Sequence, residues 1–189
     1  MRPRRARRRV VPVGEMNTRI RPGRASDADA LRAIEVEADA RYAEYGRPLT
    51  TADDAIPVEV IRRAVLESRL WVAEVDGAAV GFAYVGRVGA ELCLGQISVA
   101  IAHGRKGIGA ALVARVVQEA RRAGEPSLQL NTELDVPWNA PWYASLGFVV
   151  VPEDRWTPEM RAVSERQAAG GLSWARRVHM RLRLDGRVD

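Results

Sequence analysis

The segment His103-Gly104-Arg105-Lys106-Gly107-Ile108-Gly109-Ala110 combines glycines and two cations in a pattern able to hold an anion. It joins an alternating apolar stretch to a helix-periodic one. At such a junction the first amides of the helix lack intrahelical acceptors and meet the positive end of the helix dipole, so phosphate oxygens suit the place. Gly107 and Gly109 have no side chain to hold a diphosphate off the backbone, and Arg105 and Lys106 add charge; Lys106 is the sole lysine. A plain strand-to-helix turn with two solvated cations accounts for the same residues without a ligand. Two rival phosphate motifs fail on spacing. A Walker loop needs Lys-Ser/Thr after the glycine that is here Gly109, where Ala110 stands. A dinucleotide fingerprint begun at Gly107 needs glycine or alanine where Leu112 stands, and it belongs on the first strand of a parallel unit.

Other chemistries are excluded by residue count. Cys93 is the only cysteine and His103 and His179 the only histidines, so neither a disulfide framework nor a zinc cage can be assembled, and no metal is expected. The net charge of +5 comes from six arginines against Glu15 within residues 1–16, which leaves residues 17–189 neutral overall. We expect a basic, disordered tail over 1–16 and one domain over 17–189; a start at Met16 would omit the tail. Such a tail lends weak, salt-sensitive affinity for phosphate polymers or anionic lipid, but no stacking aromatics are interleaved with it, so nucleic acid is not the favoured partner. The basic start lacks a long apolar segment after it and no run approaches a membrane span, so the expectation is a cytoplasmic chain without a membrane partner.

The elements around the turn follow from periodicity. Thr18 to Pro22 forms a short strand, and Ser26 can cap a helix running to about Tyr42. A second helix spans Pro57 to about Leu66. Leu70 to Val75, Asp76-Gly77 and Ala79 to Val88 make a hairpin, and Gly89 turns the chain into a strand over Glu91 to Ile101. There the apolar positions fall first on even numbers (Leu92, Leu94) and then on odd ones (Ile97, Val99, Ile101). That change of phase implies a bulge near Gly95-Gln96, or a glycine relieving crowding in an ordinary strand. Gly107 to Ala123 is amphipathic through Ile108, Leu112, Val113, Val116, Val117 and Ala120. Ser127 to Thr132 follows as a strand parallel to the bulged one. A short helix over Asn139 to Leu146, a strand over Phe148 to Val151, a helix over Thr157 to Ala168 and a closing strand over Trp174 to Leu184 complete the chain. The fold class is α/β (α+β mixed): a mixed, mostly antiparallel sheet with a central parallel pair, flanked by helices.

Three antiparallel strands, a glycine-rich turn opening a long helix, a parallel strand and the segment Trp142-Tyr143-x-x-Leu146-Gly147-Phe148 together resemble the GNAT superfamily of acetyl-coenzyme A dependent N-acetyltransferases, over Thr18 to Phe148. The family's Arg/Gln-x-x-Gly-x-Gly/Ala pattern is met by Gly104 to Gly109 except at its first place, where Gly104 removes a side chain but no backbone donor. The resemblance implies that acetyl-CoA is the co-substrate. Its phosphates would lie on the amides of Arg105, Lys106, Gly107, Ile108, Gly109 and Ala110, and its pantetheine arm beside Ile97, Ser98 and Val99, where the strand would part from Leu128 to Asn131. It implies Tyr143 as the acid that protonates the leaving thiolate, the Val99 N–H as oxyanion donor, and Asn139 at the cofactor arm. Tyr143 equally suits a core aromatic packed on Trp142 and Phe148, and Asn139 a helix cap.

The base stays open. Gln96 stands where relatives place a carboxylate; Glu133, Asp135, Glu91 and Glu35 remain, or a water chain. Glu35, Tyr42, Glu44 and Tyr45 are candidates for the acceptor pocket. The expectation is acetyl transfer to a primary amine of an unidentified small molecule. The alternatives are a non-catalytic acyl-CoA sensor and a nucleic-acid contact protein using its arginine tail; a homodimer is left open.

Overall fold

The computed structural model describes residues 18–185; the arginine tail expected over 1–16 lies outside them. Seven strands form one sheet in the order β1-β2-β3-β4-β5-β7-β6. β1 (Thr18–Pro22), β2 (Leu70–Val75), β3 (Ala78–Val88) and β4 (Glu91–Val99) run antiparallel in sequence. β5 (Ser127–Glu133) lies parallel to β4, and β7 (Arg177–Arg183) pairs antiparallel with β5 and with the two-residue β6 (Val149–Val150). The helices are α1 (Ala28–Asp39), α2 (Val58–Leu66), α3 (Ile108–Arg122), α4 (Ala140–Ser145) and α5 (Pro158–Ala169).

The hairpin, the long helix and the parallel strand stand where periodicity puts them, and several boundaries differ, among them the end of the strand expected to reach Ile101, which stops at Val99 before a 3-10 turn over Ile101–His103. Ser26 does not cap the first helix: Ala25–Asp27 is a 3-10 turn, and Asp27 accepts the Arg24 amide at 2.8 Å while binding the Arg21 guanidinium. Asp27 then holds the N-cap position of α1 without a side-chain cap bond, its carboxylate being taken up by Arg21 and the Arg24 amide. The helix also ends at Asp39, and Ala40–Tyr45 tightens to 3-10 before Gly46 at φ 60°. The closing strand likewise starts late, after a 3-10 turn over Trp174–Arg176.

Two cores flank the sheet. Ile108, Leu112, Val113, Val116 and Ala120 of α3 pack with Ala140 and Tyr143 of α4 on β2 to β5. Leu112 is wholly buried, and a leucine so placed contributes about 2 kcal/mol. On the opposite face Leu31, Ile34 and Ile61 of α1 and α2 pack against Val72 and Phe82. Even-numbered Leu92 and Leu94 and odd-numbered Ile97 and Val99 all belong to the α3 side, and the bulge makes that possible. Tyr84 pairs with Gln96 and Val85 with Leu94, which leaves Gly95 as the extra residue.

Candidate active site

The bulge has a second effect. β4 and β5 pair only at Leu92 with Leu128 and Cys93 with Gln129, and beyond that they part. The Ala100 amide donates to Val80 on the β3 side at 2.9 Å. Because successive residues in a strand direct their backbone groups to opposite sides, Ile97 and Val99 turn theirs into the gap, while the Ser98 backbone turns to β3. Ser98 meets the gap only through its buried side chain, whose Oγ accepts from Gln96 Nε2 at 3.1 Å. This is an opening through the sheet, with α3 and α4 on one side and α1 and α5 on the other. A cleft of about 530 Å³ runs along it.

One end of the cleft is the glycine-rich turn. Gly107 caps α3 at φ 80° without any side-chain cap, and a Cβ there would meet nothing within 4 Å, so its requirement for glycine is conformational. The amides of Arg105, Gly107, Ile108, Gly109 and Ala110 donate to no backbone acceptor among the described residues. Arg105 itself sits at φ 55°. A neighbouring hollow of about 130 Å³ is lined by Arg41, Ile101, Gly104 and Arg105. The Arg41 guanidinium lies 4.0 Å over the Trp138 ring.

Tyr143 stands on α4 at the gap. Its ring packs 4.8 Å from Trp142 and 5.6 Å from Phe148, centroid to centroid, so the core packing that its sequence context allowed is present. Its residue surface is 6% exposed, yet its hydroxyl bonds to no described residue and the side chain lines the cleft. Burial pushes its pKa well above the ordinary phenol value, and the nearby Tyr42 adds to this. Asn139 takes the N-cap position of α4 without capping it; its Nδ2 donates to the Tyr42 hydroxyl at 2.7 Å. That bond ties the turn after α1 to the start of α4 across the opening.

The four carboxylates singled out from sequence separate cleanly. Glu91 is held by Arg181 at 2.6 and 2.7 Å and by Ser127, and it does not line the cleft. Glu133 lies between Arg47 at 2.7 Å and Arg177 at 2.6 Å. Asp135 is lowered by its bond to Arg47. Glu35 alone is shifted upward: burial raises it, against the Ile56 amide that donates to its Oε2 at 2.8 Å. Glu44 and Tyr45 do not line the cleft, although Tyr45 braces Trp138 at a centroid distance of 5.0 Å. Sequence reasoning missed Asp39, one helical turn beyond Glu35 on the same wall, whose pKa burial also raises, against a hydrogen bond from Thr50. The four-residue spacing from Glu35 was the signal. It also missed the network of Arg47, Glu133, Arg177 and Asn131, in which Arg177 donates to Asn131 at 2.8 Å. No local pattern announces it.

Comparison with known proteins agrees with this layout. The acetyltransferase (GNAT) domain family matches residues 67–150, which take in β2 to β6, the glycine-rich turn and Tyr143. The fold is similar to that of the PaiA N-acetyltransferase from Thermoplasma acidophilum, solved with coenzyme A (TM-score 0.66, 14% identity, over 89% of this chain and 99% of that one). It is also similar to Rv2747 from Mycobacterium tuberculosis, solved with CoA (TM-score 0.61, 22% identity, 87% and 98%). A third likeness is to the ribosomal-protein-S18-alanine N-acetyltransferase from Escherichia coli (TM-score 0.61, 19% identity, 91% and 97%). Residues 67–150 thus match the acetyltransferase (GNAT) domain, and the sheet order and parted parallel strands around them belong to a fold similar to that of these acetyltransferases.

Proposed function

We propose that the protein is an N-acetyltransferase that moves the acetyl group of acetyl-CoA directly to a primary amine of a small molecule. The observation that carries this reading is continuity: bare amides at the turn lead into the parted strands, and these lead to the unpartnered Tyr143 hydroxyl. The residues fit the co-substrate. Amides 105 and 107–110 can hold a diphosphate at the dipole end of α3. The inward backbone groups of Ile97 and Val99 can pair with the amides of a pantetheine arm as an added strand. Acetyl-CoA supplies the activated thioester.

In the transfer, the neutral amine forms a C–N bond as the C–S bond breaks, and the electron pair leaves on sulfur. The Val99 N–H, facing the gap, is placed to stabilise the charge that develops on the carbonyl oxygen. Tyr143 gives its proton to the thiolate. Burial that raises Tyr143 would raise a thiolate placed beside it too, so their proton affinities move together. The proton lost by the amine leaves through the open cleft, whose walls carry Glu35 and Asp39. A covalent acyl-cysteine route has no support: Cys93 is buried outside the cleft, and desolvation pushes its thiol up to about 12.

The test is thiol release from acetyl-CoA over a panel of amines, alongside calorimetric binding of coenzyme A. Turnover with at least one amine supports the reading. Binding without thiol release over every acceptor would make the protein an acyl-CoA sensor instead.

A further inference from the structure

Seven charged side chains line the cleft, and their pairing divides it by function. Arg41 and Arg105 lie at the turn. At the other end Arg47 and Arg177 are engaged: Arg47 binds Glu133, Asp135 and the Tyr45 carbonyl, and Arg177 binds Glu133 and Asn131. The remaining Arg177 nitrogen, Nε, is sealed from solvent. A carboxylate on an acceptor would therefore find no unengaged cation there.

Glu35 and Asp39 are in the opposite situation. Neither is in an ion pair among the described residues, and each is bonded only by a neutral donor, the Ile56 amide and the Thr50 hydroxyl. Arg32, the guanidinium that acts on Glu35 from α1, gives its hydrogen bonds to the carbonyls of Ala52, Ala55 and Ile56. Being four residues apart, the two carboxylates share one helix face. Burial, with the charge of Asp39 adding to it, raises Glu35, and with only neutral donors bonded to them the two carboxylates stand on one wall without a paired cation. Glu35 is only 7% exposed, and its Oε1 has no donor among the described residues although it is not sealed from the cleft. The Tyr143 hydroxyl, 94% buried by residue and also without a partner, independently marks the same cleft as built for a ligand. Glu35, Asp39, Tyr42 and Tyr143 line one and the same cleft.

We infer that the acceptor is an aliphatic amine carrying a second cationic nitrogen and no carboxylate, with its non-reacting ammonium held between Glu35 and Asp39. The inference rests on the acetyltransferase reading for its chemistry, but not for the ion pairing. Glu35 and Asp39 are the specificity-determining residues, and the wall of Arg47, Arg177, Glu133 and Asp135, neutral in sum, turns amino acids away.

The experiment uses the full chain and three probes: 1,4-diaminobutane, butylamine, and ornithine as the diamine with a carboxylate. Thiol release should show a KM for diaminobutane about tenfold below those of butylamine and ornithine, the scale of a charge-assisted contact. In Glu35→Gln and in Asp39→Asn the preference for diamine over monoamine should collapse to within about threefold, chiefly through KM. Calorimetric titration of diaminobutane into the protein with coenzyme A present gives a second readout, and binding should be lost in both variants. Equal KM values for butylamine and diaminobutane, a preference for ornithine, or diaminobutane binding that survives both substitutions would overturn the inference. Diaminobutane bound by the carboxylates in a protein that takes no coenzyme A would keep the ion pairing at Glu35 and Asp39 but overturn its assignment to an acetyl acceptor, together with the acetyltransferase reading.

Discussion

Gly95 lies against the ring of Tyr84 across the β3–β4 ladder, so closely that a Cβ on Gly95 would stand 2.7 Å from Tyr84 Cε1. The same ring covers Gly86, where a Cβ would stand 2.8 Å from the hydroxyl oxygen. Two glycines thus make room for one aromatic ring on the α1 side, and the bulge that parts β4 from β5 sits beneath it. Gly95→Ala must displace the ring, and overpacking of this kind costs about 1–3 kcal/mol. Urea denaturation should show that loss, and calorimetry a weaker affinity for coenzyme A, because the gap depends on the bulge. Unchanged stability and affinity would separate the bulge from the opening.

Tyr143→Phe keeps the ring on Trp142 and Phe148 and removes only the hydroxyl. Since that hydroxyl bonds to no described residue, stability should change little. The rate of thiol release should fall about 100-fold, the scale of a general acid. A variant that turns over at the parental rate leaves Tyr143 as a core aromatic.

Arg41 and Arg105 share a hollow that no acidic side chain lines, although Glu37 is close enough for its Oε1 to accept the Ile101 amide at 2.8 Å. Stacking on Trp138 holds the Arg41 guanidinium there without neutralising it. With phosphates on the neighbouring turn, Arg41→Ala should weaken coenzyme A binding about tenfold, more at low salt than at high, and leave a phosphate-free pantetheine thioester unaffected. Equal losses for both ligands would place Arg41 outside phosphate contact.

His179 is 1% exposed, with its ring centroid 4.8 Å from that of Trp156 and 4.7 Å from that of Trp174, and its Nε2–H donates to the Met160 carbonyl at 3.2 Å. Burial lowers its pKa, against that hydrogen bond. The unfolded chain, at about 6.5, therefore takes up a proton that the folded one refuses. The stability associated with neutral His179 is present above about pH 6.5 and is lost as pH falls toward the folded value. Urea midpoints followed by tryptophan fluorescence should drop between pH 7.5 and 5, and His179→Gln should flatten that slope.

The Gly95 bulge was legible because a strand alternates with period two: one extra residue shifts every later apolar side chain, and Leu92, Leu94, Ile97 and Val99 record the shift. The glycine-rich turn was legible because what it presents is backbone amides, which local sequence either leaves bare or caps. The acceptor half was not. Glu35 was visible as a candidate, but whether a carboxylate is bound, clamped or open depends on partners far away in sequence. Arg47 reaches Glu133 across 86 positions, Arg181 reaches Glu91 across 90, and Tyr42 meets Asn139 across 97.

The amino-acid order by itself thus determined the strands, the long helix, the break in strand phase and the anion-ready turn, since each is a property of neighbouring residues and their period. Tertiary structure alone decided which charges cancel. Glu133, Asp135 and Glu91 are drawn to arginines from other elements, whereas Glu35 and Asp39 meet only neutral donors, and that difference exists only once α1, β5 and β7 stand around one opening.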